Sequence, residues 1–350
     1  MRVRFAVNAE PQASHAALQQ LASSRYRGLV PAEQLQALGI NADVTTVFDL
    51  LQPDALRAAD ILVLHQPKYD ILTADIAALA ASLDALRQRG GRLVVDVSDF
   101  KLNIEHDRML AKMIGPAPAA AYRKLLVELF ARADALTLPS EGLARLMRAS
   151  LKSVPPLHII GDVIEVARGV PRFAPGGELK LLWFGFFGAH RGALAKFLRE
   201  DWPRLPSAHL ALVCEPLPDD ELVRIVPAHA EGRVTAQPWS VPVLEQALAN
   251  CDLVVLPFDF GSQLSLGRSN NRALQALYAG RAVAAHPIDS YRVLAPYVDV
   301  NVALPLAVKA VLADPAATLE KLWRGQEHVG GTHSAAAIGR AWRDMLASLQ

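Results

Sequence analysis

Short apolar runs rich in valine, isoleucine and leucine alternate along the chain with longer stretches in which alanine and leucine are interspersed with arginine. Apolar runs without polar alternation are the mark of strands buried on both faces. Their regular exchange with helix-length segments predicts βα units and a mainly parallel sheet. Strands are expected at Val3–Ala9, Ala42–Phe48, Ile61–His65, Arg92–Val97, Ala135–Pro139 and Leu157–Ile160, with helices near Leu29–Leu38, Ala74–Arg89, Ala119–Ala133 and Glu141–Leu151. From Val163 to Leu179 the pattern fails, and Gly169, Pro171, Pro175, Gly176 and Gly177 mark a linker. A second series follows, with strands at Lys180–Gly185, Leu210–Cys214, Arg233–Ala236, Asp252–Pro257 and Arg281–Ala285 and helices near Arg191–Glu200, Asp219–Val226, Val241–Ala249 and Asn270–Ala279. The last stretch, Ser334 to Leu349, repeats Ala337, Ile338, Ala341, Trp342, Met345 and Leu349 at helical spacing, with Ser334 as N-cap after the breaker pair Gly330-Gly331.

The economical architecture is two Rossmann-like α/β lobes: residues 1–165, a linker at 166–178, a second lobe at 179–330 and a closing helix at 331–350. A length of 350 residues agrees with two ordinary domains. Thirty-six basic against thirty-five acidic residues give a net charge of +1, so no global field recruits nucleic acid. No apolar run approaches the ~20 residues that cross a bilayer, and the opening Met1-Arg2-Val3-Arg4 reads as a strand, not a leader. A cytoplasmic protein is expected. Arg145, Arg148 and Lys152 offer a basic face suited either to a membrane surface or to solvent. Cys214 and Cys251 each adjoin a β-rich run and read as reduced core thiols.

Open α/β sheets bind ligands beyond the carboxyl ends of their strands, which directs attention to the residues just after each run. Trp183-Phe184-Gly185-Phe186-Phe187-Gly188-Ala189-His190-Arg191 carries a strand into a glycine-rich turn and a helix. Such a turn lets the backbone approach an anion, although it also serves as an ordinary connection. Asp252–Pro257 leads through a polar loop, Phe260 to Gly267, into Arg268-Ser269-Asn270-Asn271-Arg272. There a capped helix and two arginines suit a diphosphate. Asp96-Val97-Ser98-Asp99 and the polar segment Asn103–Asp107 with His106 follow a strand of the first lobe, and His65 ends another. There is no G-x-G-x-x-G turn after the first strand, no Walker loop, no G-x-S-x-G elbow and no Cys/His metal spacing.

The order strand, polar loop, capped helix, Ala279-Gly280 and strand Arg281–Ala285 resembles the donor-binding lobe of GT-B glycosyltransferases, particularly family 4. Ser23-Ser24-Arg25-Tyr26-Arg27, Ala133–Glu141, Trp183-Phe184-Gly185, Gln237-Pro238-Trp239-Ser240 and the helix with Trp342 extend the resemblance over nearly the whole chain. It implies two Rossmann-like domains facing across a cleft, the last helix crossing back to the first. It further implies transfer of a sugar from a UDP- or GDP-linked donor to a glycan, lipid or protein acceptor, without metal or other cofactor and with retention. Donor-site residues are then Gly185, Arg191, Trp239, Arg268, Ser269, Asn270, Asn271, Arg272 and Gln275. Asp99 and His106 are catalytic candidates, and Arg25, Arg27 and His65 line the acceptor side. Where the family has two glutamates separated by seven intervening residues, this chain has Gly267 and Gln275. That departure keeps open a non-catalytic scaffold that partners a transferase, and a nucleotide-sugar epimerase.

Overall fold

The computed structural model describes all residues except 53, 74 and 260, so Ala74 and Phe260, at the start of an expected helix and of the polar loop, lie outside the described residues. The chain divides into two compact units: residues 1–163, 267–269 and 333–350 form the first, and residues 164–266 and 270–332 the second.

The first unit is built on a parallel sheet of β1 (Arg2–Val7), β2 (Asn41–Thr46), β3 (Ile61–His65), β4 (Arg92–Asp96), β5 (Ala135–Leu138) and β6 (Leu157–Ile159), in the order β2-β1-β3-β4-β5-β6. β3, β4 and β5 are buried almost throughout, as their unbroken apolar runs predict. One face of this sheet presents Leu62, Leu64, Val95 and Leu136 to a cluster that includes Leu83, Leu126 and Phe130 of the helices Ile76–Gln88 and Pro116–Arg132. The other presents Phe5, Val63, Val94 and Ala135 to Leu35, Ile338, Trp342 and Leu346. Trp342 meets Phe5 edge to face at 5.2 Å, which seats the closing helix Ala335–Ala347 on the sheet. Ser334 caps that helix as expected, its Oγ accepting from the Ala337 amide.

The second unit has its own six-stranded parallel sheet, β7 (Leu179–Phe184), β8 (Ala208–Cys214), β9 (Val234–Pro238), β10 (Leu253–Leu256), β11 (Ala282–Ala285) and β12 (Asp299–Val300), in the order β12-β11-β10-β7-β8-β9. Cys214 and Cys251 are free thiols buried in its core, and burial pushes their pKa values to about 11 and about 12. They are inert structural residues.

Three features depart from the sequence expectation. The polar segment Asn103–Asp107, for which no helix was expected, opens one: Asn103 caps Ile104–Ile114 by accepting the His106 amide. Gly330 and Gly331 do not break a helix but lie inside Pro315–His333, where a Cβ on Gly330 would stand 3.3 Å from the Tyr278 ring. The glycine there serves close packing, and the break comes at Ser334. The glycine-rich stretch after Val163 is fastened within the second unit by side chains. Glu245 accepts the Ala167 amide at 2.7 Å, and Gln326 donates to the carbonyls of Gly169 and Tyr278. Gly280 ends a helix at φ +70°, and a Cβ there would lie 2.6 Å from the Pro171 nitrogen, so both conformation and space require glycine.

Candidate functional sites in the two units

In each sheet the point where strands begin to be added on the opposite side locates a crevice at the strand ends. It falls between β1 and β3 in the first unit and between β7 and β10 in the second.

In the first unit Asn8, just past β1, meets His65 at the end of β3. The Asn8 Oδ1 accepts the Lys68 amide and its Nδ2 donates to the Gln66 carbonyl. That fixes the amide orientation, so Nδ2 also donates to His65 Nδ1 at 2.8 Å and the His65 Nε2–H faces Ser98 Oγ at 3.1 Å. Burial drops the His65 pKa from 6.5 to about 4, against the pull of Asp96. In the unfolded chain this ring takes up a proton below pH 6.5, but in the fold it stays neutral down to about pH 4. Its contribution is therefore complete above pH 6.5 and is lost as the pH falls towards 4, by about 3 kcal/mol. Urea denaturation of the protein and of His65→Gln is expected to show a flatter pH dependence for the variant over that range; parallel curves would mean that the ring titrates normally.

Next to this group Arg27 is almost fully buried and forks onto Asp96, with Nη2 at 2.5 Å and Nε at 3.0 Å from the two carboxylate oxygens. Its Nη1 donates to the Ile160 carbonyl at 2.6 Å and lies 3.5 Å from Asp162. Thr137 donates to Asp96 at 2.6 Å. Burial raises the Asp96 pKa, but Arg27 outweighs it and the carboxyl is held below its usual range. For Asp162 burial wins and the pKa is raised, although Arg27 and a hydrogen bond from Ser269 oppose it. Arg27 is thus the centre of a buried ionic cluster. Arg25, by contrast, stacks over Tyr26 and donates to the Gln19 carbonyl.

Asp99 and Arg268, assigned to separate roles by the sequence, are brought together: Nη1 lies 3.0 Å from Oδ1. Burial raises the Asp99 pKa, but Arg268 and then Lys101 overcome it, so the carboxylate stays charged. Gly267, also in the first unit, sits where a Cβ would come within 2.9 Å of Phe100 Cβ and 3.4 Å of Leu143. A glutamate does not fit there without a shift, which accounts for the glycine. His106 is in the first turn of its helix, buried, with its ring 6.1 Å from that of Tyr122. Burial and then Lys101 lower its pKa, leaving a neutral imidazole.

In the second unit β7 is followed by Gly185, whose φ of +142° is a glycine conformation. Arg272, in the first turn of the helix Asn271–Tyr278, reaches the same point: its Cδ lies 3.2 Å from the position of a Gly185 Cβ and Nη1 lies 3.4 Å from the Phe184 carbonyl. The guanidinium is 4.7 Å from the Phe258 centroid and 5.6 Å from that of Trp183. Two aromatic faces therefore preorient it at the β7–β10 junction. Asn270, at the N-cap position, makes no side-chain capping bond, and its buried Oδ1 has no hydrogen-bond partner among the described residues. Asn271 begins the helix. Trp239 is half-buried after β9, its amide donating to the Cys214 carbonyl.

Two other donor candidates are already engaged. Arg191 pairs with Glu221 at 2.8 Å, and the Gln275 Oε1 accepts the amides of Glu165 and Val166 at 3.0 and 3.1 Å. The sequence reading missed Glu215, which accepts the amides of Phe187 and Gly188 at 2.7 and 2.8 Å, on the helix N-terminus expected to hold an anion. The only available signal was a carboxylate directly after a predicted strand.

No family model matches the sequence, and no curated protein matches it significantly. The structure, however, resembles solved proteins over its full length. A sucrose-phosphate synthase from Thermosynechococcus elongatus superposes with a TM-score of 0.66 at 16% identity, covering 99% of each chain. HepE of Anabaena, solved in complex with UDP-glucose, gives 0.67 at 13% identity over 99% of this chain and 100% of its own. OtsA gives 0.63 at 11% identity over 100% and 99%. At these identities the likeness is one of fold.

Proposed function

We propose that this chain, which has the fold of the GT-B glycosyltransferases, is a glycosyltransferase that moves a sugar from a nucleotide-sugar donor to an acceptor. The observation that carries this reading is the full-length likeness to HepE, whose complex holds UDP-glucose. The geometry at the β7–β10 junction supports it. Gly185, with no side chain of its own, lets Arg272 pack against the end of β7, and Arg272, held against Phe258, brings a cation to the start of a helix. On this reading the donor is UDP-linked, with GDP as the alternative, and the cation and helix amides offset the leaving diphosphate without a metal. In the first unit Asp99, charged beside Arg268, and His106 are the candidates for catalysis and for orienting the acceptor. Transfer proceeds with retention.

A second reading, a non-catalytic protein of the same fold, is favoured by Glu215 on the helix amides, by Glu221 on Arg191 and by Gly267 in place of a glutamate. Calorimetry with UDP, GDP and their glucose conjugates, with and without EDTA, is expected to show binding of one nucleotide that the chelator leaves unchanged. Binding of none would overturn the donor site. Binding without transfer or hydrolysis over a broad acceptor panel would favour the non-catalytic protein.

A further inference from the structure

Gln66 follows β3 at the crevice of the first sheet. Its backbone is fully used, the amide donating to the Asp96 carbonyl at 2.8 Å and the carbonyl accepting from Asn8 at 2.8 Å. Its side chain is 1% exposed, yet neither Oε1 nor Nε2 has a hydrogen-bond partner among the described residues. A whole amide buried without partners is costly and rare in native proteins. Side chains alternate across a strand, so Gln66 continues the face of Leu62 and Leu64, whose cluster includes Leu110 and Tyr122.

On that side Tyr122 donates to the Pro67 carbonyl at 2.6 Å, and Lys101 Nζ lies 3.5 Å from the same oxygen. His106, packed on Tyr122 and 8% exposed, also has a buried Nδ1 without a partner among the described residues. Among the charges that act on one another there, Lys68, Lys101, Arg123 and Arg268 outnumber Asp70, Asp99 and Asp107 by one. Lys101 and Tyr122 meet at the Pro67 carbonyl and His106 packs on Tyr122, which places an ammonium and a neutral imidazole beside the residue that follows Gln66.

We infer that Gln66, Lys101 and His106 form an oxyanion subsite in the first unit; on the transferase reading it takes the phosphate or carboxylate of an anionic acceptor. The ammonium and the amide NH2 donate to the oxyanion, and Lys68 adds charge. Burial, with Lys68, lowers the Lys101 pKa to about 8, while Asp99 and Asp70 oppose the fall. A bound oxyanion raises it again, so binding near pH 8 takes up a proton.

The imidazole NMR resonances of His106 report on this site directly. Titrating the full chain with inorganic phosphate or sodium acetate, against chloride at matched ionic strength, is expected to shift them saturably with at least one of the two oxyanions. The tighter of the two identifies the acceptor's group as phosphate or carboxylate. Lys101→Met is expected to weaken that binding by about tenfold or more. Gln66→Leu is expected to abolish the response while raising the Tm of the unliganded protein, because it removes an amide that has no partner. Resonances that neither oxyanion moves, or a Gln66→Leu protein with a lowered Tm, would overturn the subsite. UDP calorimetry on the same samples separates the two ideas: UDP binding without an oxyanion response defeats the subsite alone, and the reverse result defeats the donor reading alone.

Discussion

Arg272→Ala is expected to weaken UDP binding by about 10- to 100-fold, the equivalent of one charge-assisted hydrogen bond of roughly 1.5–3 kcal/mol. The side chain is held over Phe258 at 4.7 Å and near Trp183 at 5.6 Å, so little freedom is lost when it engages a phosphate. Arg272→Lys keeps the charge but not the planar stacking, and an intermediate affinity is expected. Calorimetry of both variants checks this. An unchanged affinity in Arg272→Ala would put the phosphates away from the β7–β10 junction.

The largest effect on stability is expected at Arg27. Arg27→Met leaves Asp96 buried with Thr137 as its remaining side-chain donor and strips the Ile160 carbonyl of its 2.6 Å bond. Removing one partner of a buried ion pair costs about 3–5 kcal/mol, because the other charge stays in a medium that solvates it poorly. Urea denaturation should show a lower midpoint at an unchanged slope. Arg27→Lys, which retains the charge but not the fork, is expected to lose less. A change under about 1 kcal/mol in Arg27→Met would mean that Asp96 is solvated after all.

Arg27 also shows where the sequence is legible and where it is not. An arginine two residues past another in a loop-like segment reads as solvated or ligand-facing; its burial depends on Asp96, 69 residues away, and on Ile160, 133 away. The strands β3, β4, β5 and β10 were readable because strands buried on both faces carry their environment in their own residues. The helix Ile104–Ile114 was not, since Ile104, Met109 and Met113 face outward and blur its periodicity. Its cap was nonetheless visible: Asn103 precedes Glu105 and Asp107 in the first turn. Likewise Gln275 was recognisable as a departure from a glutamate, but its grip on the amides of Glu165 and Val166 joins segments 110 and 109 residues apart. The pairing of Asp99 with Arg268 spans 169 residues and has no local signature.

The closing helix has a consequence for how the molecule is made. Residues 333–350 belong to the first unit, and Ile338, Trp342 and Leu346 cover Phe5, Val63 and Val94. On the ribosome, where chains emerge at about 5–20 residues per second, every part of the second unit is synthesised before that helix. The unit that begins the chain is therefore the later one to be complete, and until then the part of its sheet face that Ile338, Trp342 and Leu346 cover has only Leu35 and its neighbours beside it. Until the helix arrives, that part of the face is open to aggregation or to a chaperone.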